Sequence, residues 1–260
     1  MNLPDIAKDP RTLDLIQDAL REDLGAGDAT TLALVPPRAR ARAAILSRGP
    51  CVVSGAAVAA EVFLAVDGDL RCEMAAADGQ AVAAGTELLR VAGRARSILA
   101  AERTALNFLQ RMCGIATLTR RFVERVERYG TTILDTRKTT PGLRALEKYA
   151  VLCGGGQNHR QGLFDRILIK DNHRRLWRRG PAGPARLDEA VAAARRRFPG
   201  LPVEVEVETE EELLSALRAG PEWILLDNLP PPALRRCVRL CAGRARLEAS
   251  GGITLRNHRA

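Results

Sequence analysis

Aromatic residues make up only 3% of this 260-residue chain. A base-stacking platform would be poorly supplied. The six cysteines, at 51, 72, 113, 153, 237 and 241, form no C-x-x-C pair. Cys237 and Cys241 lie one helical turn apart, but no histidine stands beside them before His258. Buried thiols acting as small hydrophobes are therefore a better reading than a zinc site. No apolar run is long enough to span a membrane. The first twelve residues carry Pro4, Asp5, Lys8, Asp9 and Arg11 and no apolar h-region, so no secretory signal is read. The expected location is the cytoplasm, where disulfides are not expected. P-loop, dinucleotide, G-x-S-x-G and H-E-x-x-H motifs are also missing.

Lysine is scarce too. Only Lys8, Lys138, Lys148 and Lys170 occur, against 36 arginines, in a chain of net charge +9. A basic balance raises the question of nucleic acid. The arginine runs are Arg174-Arg175, Arg178-Arg179 and Arg195-Arg196-Arg197, with no zinc finger or RNP motif nearby. Solvated arginine faces are the preferred reading, and no nucleic-acid partner is expected. Two of the four lysines, Lys138 and Lys170, fall at proposed strand ends, where a compact point charge differs from the arginine fork.

The chain is long enough for one large barrel or two domains. Residues 13–21 read as a helix, running into the turn-rich stretch 22–31. Short strand-like runs follow at 42–47, 51–54 and 88–91, divided by Asp67-Gly68, Asp78-Gly79 and Ala84-Gly85. This predicts a small α+β domain. Ile98, Ala101, Ala105, Leu106 and Leu109 have helical spacing. Gly114 is expected to interrupt that helix, and a second run reaches about Tyr129. The domain boundary is placed after Met112, giving domains 1–112 and 113–260.

The second half holds five hydrophobic strand candidates, each ending on a charged or polar residue: Leu134-Asp135, Arg166 to Ile169 before Lys170, Val203 to Val207, Ile224 to Leu226 before Asp227, and Arg246 to Ala249 before Ser250. Helical stripes lie between several of them, such as Leu187, Ala190, Val191 and Ala194. Thr209 to Glu212 reads as a capping box. Strands alternating with helices, with chemistry at the strand C-termini, are the pattern of a β/α barrel. Pro181 to Pro184 is read as a surface loop.

Glu204, Glu206 and Glu208 alternate with valines. On an edge hairpin they would face water. Inside a helix-covered barrel, one glutamate row points inward and needs cations. With helices on both sides, the inward reading is favoured. Asp227 could cap the next helix or act as an oxygen ligand beside Glu206 for Mg²⁺. Arg137, Lys138, His159, Arg160 and Lys170 form a candidate grip for a polyanionic small molecule. Gly154-Gly155-Gly156 could end a helix or admit a ligand to the backbone.

These stretches, taken in order, resemble the quinolinate phosphoribosyltransferases. The matching segments include 21–25 with 27–31, 102–107, 113–117, Asp135 to Gly142, Gly154 to Arg160, Lys170 to His173, Glu204-Val205-Glu206, Leu226 to Asn228, and Ser250 to Thr254. The resemblance implies an N-terminal α+β open-faced sandwich domain followed by an incomplete β/α barrel. It implies a homodimer or higher homo-oligomer in which Arg103 completes a neighbouring subunit's site. The implied substrates are quinolinate and phosphoribosyl pyrophosphate, with Mg²⁺ as cofactor. The products would be nicotinate mononucleotide, CO₂ and pyrophosphate. By resemblance Arg103, Arg137, His159 and Arg160 grip the quinolinate carboxylates, and Lys138 and Lys170 flank the ring and phosphates. Glu206 and Asp227 hold Mg²⁺-pyrophosphate and ribose, and Ser250, Gly251 and Gly252 meet phosphate. The family continues past the equivalent of Ala260 through another strand and a phosphate loop, so the C-terminal end is expected to be missing. Two alternatives follow: a non-catalytic quinolinate-binding remnant, or the paralogue associated with molybdenum transport. Asn158-His159-Arg160 and Lys170-Asp171-Asn172-His173 argue against the second.

Overall fold

The computed structural model describes residues 3–177 and 187–257. Its chain forms two compact units, Met1–His159 and Arg160–Ala260. The Pro181 to Pro184 loop, the Arg178-Arg179 pair and His258 lie outside the described residues.

In the first unit, Asp9 starts α1 (Pro10–Leu24) by accepting from the Arg11 and Thr12 N–H groups, with proline at the first helical position. Asp28 likewise caps α2 (Ala29–Leu34) through the Thr31 N–H at 3.0 Å. Then come β1 (Arg40–Leu46), β2 (Cys51–Val52), α3 (Ala56–Val66), β3 (Arg71–Met74), β4 (Ala81–Val82) and β5 (Glu87–Arg94). Strands β1, β5 and β3 form an antiparallel sheet in that order, and β2 pairs with β4. Helix α3 is apolar nearly all round, so it buries most of its residues.

It packs against α4 (Ala95–Val126), a continuous helix of 32 residues. The expected interruption at Gly114 does not occur. A helical glycine costs about 1 kcal/mol relative to alanine, and Met112, Cys113 and Ala116, all buried around it, offset that locally. The boundary read after Met112 therefore falls inside a helix, while the compact units divide after His159.

Helix α5 (Arg144–Cys153) packs on α4. Its end explains the three glycines. A Cβ on Gly154 would lie 2.5 Å from Thr119 Cβ and 2.6 Å from the Ala116 carbonyl oxygen, and one on Gly156 would lie 2.7 Å from Val151 Cγ1. Gly155 has φ of 90°, in the left-handed region. These glycines end the helix and let it close on α4. Leu134, expected in a strand, makes only an isolated parallel bridge with Gln157.

The second unit contains β6 (Ile167–Ile169), α6 (Asp171–Leu176), α7 (Leu187–Arg197), β7 (Val203–Val207), α8 (Glu210–Ala219), β8 (Trp223–Asp227), α9 (Pro231–Cys241) and β9 (Arg246–Ser250). The four strands are parallel and ordered as they occur in sequence. That is the β/α arrangement of an incomplete barrel, following an N-terminal α+β unit. On one face, Ile169, Val203, Val205, Val207, Ile224 and Leu226 pack with Leu187, Val191, Leu213, Ala216 and Cys237 of the helices. Thr209 caps α8 through the Glu212 N–H at 3.1 Å, as read from sequence. The Glu212 carboxylate, however, accepts from the Glu208 N–H at 2.8 Å rather than from the cap residue itself.

Candidate active site

The other face of the parallel sheet is polar. Residues directly opposite in register share a face, so Leu168, Glu204, Trp223 and Arg246 form one row. Glu206, Leu225 and Glu248 form the next, and Asp227 and Ser250 the last. Each row thus carries at least one charged side chain, among Leu168, Trp223 and Leu225. Glu204 is 0% exposed and Glu206 7%, which settles the glutamate alternation in favour of the inward reading. Glu208, past the strand end, is exposed.

A buried carboxylate needs a compensating cation. Lys170 supplies one to Glu206 through a direct ion pair. The Lys170 side chain remains 41% exposed against 9% for Glu206, so the ammonium can also meet a ligand. Arg166 reaches Glu204 at 3.3 Å. Arg166 also lies over the Trp223 ring at 4.7 Å, and Arg246 approaches that ring at 5.2 Å. None of this arginine–tryptophan stack was singled out from sequence. Arg160 donates to the Arg166 carbonyl oxygen at 3.3 Å.

Asp227 does not cap the following helix: the α9 cap is Pro230, with no side-chain hydrogen bond. Its carboxylate instead accepts from the Ser250 hydroxyl and from Asn228 Nδ2 at 2.8 Å. Asn228 holds φ of 53° and its N–H donates to the Ser250 carbonyl oxygen. Gly251, at φ of 93°, lies so close that a Cβ would sit 2.0 Å from Asn228 Oδ1. Only glycine fits this corner. The Ser250 hydroxyl proton is thus directed at Asp227. Gly252 is exposed beyond it.

The first unit carries the remaining candidates. Arg137 is half-buried, and its Nε is buried with no hydrogen-bond partner. Lys138 is exposed, its N–H held by Thr136 Oγ1 at 3.0 Å. His159 is half-buried, and its N–H donates to Asp135 Oδ1 at 2.9 Å. The loop after Asp135 and the segment ending at His159 are therefore joined. Arg103 stands exposed on α4.

Sequence reasoning missed what joins them. Lys148, 1% exposed, donates to Asp135 Oδ1 and to the His159 carbonyl oxygen at 3.0 Å. Burial pushes the Asp135 carboxyl up, against the opposing pull of Lys148 and the His159 N–H. Its signal in the sequence is the scarcity of lysine: Lys148 is one of four, and Lys138 and Lys170, the other two in this half of the chain, are candidate site residues.

A parallel β/α sheet with cationic and acidic side chains at its C-terminal rim is the arrangement of a β/α enzyme domain. Comparison with known proteins narrows this. Residues 28–113 match the quinolinate phosphoribosyl transferase N-terminal domain, and residues 115–260 match the C-terminal domain of the same family. A nicotinate-nucleotide pyrophosphorylase (carboxylating) of Mycobacterium leprae is 45% identical over 254 residues, covering 94% of this chain and 86% of that protein. A protein of Bacillus subtilis, named as a probable enzyme of the same kind, is 40% identical over 242 residues, covering 93% and 81%. The solved nicotinate-nucleotide pyrophosphorylase of Francisella tularensis superimposes with a TM-score of 0.89 at 36% identity, covering 99% of this chain and 89% of that one. The chain belongs to the quinolinate phosphoribosyltransferase family.

Proposed function

We propose that this protein transfers the phosphoribosyl group of phosphoribosyl pyrophosphate to quinolinate and removes one carboxylate, giving nicotinate mononucleotide, CO₂ and pyrophosphate for NAD biosynthesis. The observation that carries this reading is the polar rim of the parallel sheet, with Lys170 on Glu206 and Asp227 on the same face. The names of the relatives at 40–45% identity support it.

In this reading Arg137 and His159 bind a carboxylate of quinolinate, and the buried Arg137 Nε is a donor awaiting that partner. Lys138 and Lys170 face phosphate and ring as point charges. The ring nitrogen attacks the anomeric carbon as the bond to pyrophosphate breaks. The positive ring nitrogen so formed stabilises the electron pair left on the neighbouring ring carbon when CO₂ departs, and that pair then takes up a proton. The protein's task is to orient the di-acid and to stabilise charge at the sheet rim.

Glu206 and Asp227 present hard oxygen donors on adjacent strands, a set suited to Mg²⁺ shared with substrate phosphates. When bound, Mg²⁺ would neutralise charge on the departing pyrophosphate. The direct test is nicotinate mononucleotide formation from the two substrates across a Mg²⁺ titration. Absence of product at every concentration would overturn the reading.

Arg137→Ala is expected to weaken quinolinate binding by about 1.5–3 kcal/mol, the value of one charge-assisted contact. Calorimetry reads this directly, and an unchanged dissociation constant removes Arg137 from the grip. The protein works as a homodimer or higher homo-oligomer, with Arg103 entering a neighbouring copy's site; the exposure of Arg103 supports this. Mixing inactive Arg103→Ala and Lys170→Met chains should restore about a quarter of native turnover, since half of randomly formed two-fold dimers hold one intact site. No restoration after subunit exchange would contradict the shared site.

A further inference from the structure

We propose that Lys148 is a positioning residue for di-acid recognition: its buried ammonium clamps the loop carrying Arg137 and Lys138 to the segment ending at His159. This inference rests on the proposed substrate, but its geometry stands by itself. Lys148 projects from α5 and is 1% exposed. It donates to Asp135 Oδ1 and to the His159 carbonyl oxygen. Asp135 in turn accepts the His159 N–H on the same oxygen. With the Asn158 amide turned so that its nitrogen faces these acceptors, it donates to the second Asp135 oxygen at 2.7 Å and to the Lys148 carbonyl oxygen at 3.0 Å. The Asp135 N–H donates to the Gln157 carbonyl oxygen at 3.1 Å, and the Gln157 N–H to the Ile133 carbonyl oxygen at 2.8 Å.

The backbone on both sides is thus held from inside by one cation and one anion. Arg137 is only two residues beyond Asp135, so its fork inherits this position. Bidentate recognition of a carboxylate tolerates little displacement. A guanidinium is larger than an ammonium, and at a position only 1% exposed it would have to displace its neighbours to make the same two contacts.

The test uses the full chain in three forms: Lys148→Met, Lys148→Arg and the charge-balanced double variant Lys148→Met/Asp135→Asn. The double variant keeps an acceptor for the His159 N–H and leaves no lone buried charge. Backbone amide exchange should accelerate together in residues 134–138 and 157–159, while β5 stays protected. The KM for quinolinate should rise about tenfold or more, because a misplacement of about 1 Å in a binding group is costly, with a smaller rise in the KM for phosphoribosyl pyrophosphate, since Lys138 rides on the same loop. Lys148→Arg should not rescue either readout. A merely structural lysine would instead lower the active fraction, reducing kcat at constant KM. That outcome, or native exchange in the double variant, overturns the proposal. If the native protein binds no quinolinate in calorimetry, the functional reading fails, and the exchange result alone decides the clamp.

Discussion

Lys170→Met is expected to lower turnover by about 10²–10³-fold, as removal of one preorganised electrostatic group does in other active sites. Two effects follow from the same ion pair. Glu206 is nearly enclosed, and its carboxylate would lose its ion-pair partner Lys170. Breaking a fully buried pair costs about 3–5 kcal/mol. Lys170 is partly open to water, so the cost here is smaller, on the order of 1–2 kcal/mol. The variant should melt a few degrees lower and still fold. Adding Glu206→Gln removes the orphaned charge. The double variant should recover its melting temperature and remain inactive. Steady-state kinetics beside thermal melts separates the two effects, and near-native turnover in Lys170→Met would remove Lys170 from the reaction.

The parallel sheet was legible because its pattern is local. Ile167 to Ile169, Val203 to Val207 and Trp223 to Asp227 are short apolar or alternating runs with a turn or helix start directly after each. The direction of the glutamates was readable only with the helices on both sides taken into account, and their burial agrees. The first expected strand was not realised. Leu134 finds a single bridge partner, and Asp135 is turned to Lys148 and His159 instead. Gly114 misled for the opposite reason: tertiary burial along α4 outweighs a local helix weakness. The clamp on α5 was invisible because its partners are 11 and 13 residues from Lys148 and meet only after folding. The tryptophan stack likewise joins residues on three different strands or strand ends. Short-range spacing carries no information about such pairs.

Asp227→Asn is the second large effect: about 10²–10³-fold less turnover with the fold preserved. The corner it occupies is over-determined. Asn228 lies at positive φ, Gly251 closes on it, and the Asn228 N–H is fixed to the β9 end. An asparagine at 227 still offers an oxygen to the Ser250 hydroxyl. Its amide would face the amide of Asn228, a conflict that a flip of the Asn228 side chain relieves. Shape therefore survives and charge does not. If Asp227 serves the metal and pyrophosphate, the Mg²⁺ concentration needed for half-maximal rate should rise about tenfold or more, since a carboxylate is a far better Mg²⁺ ligand than a neutral amide. Quinolinate affinity should be unchanged, because its carboxylate grip is assigned to Arg137 and His159. A Mg²⁺ titration of rate, paired with quinolinate calorimetry, reads both. Native Mg²⁺ dependence would move Asp227 from ligand to scaffold. Weakened quinolinate binding would instead place it beside the di-acid, where a carboxylate opposite two carboxylates would need a different charge balance from the one the sheet rim provides.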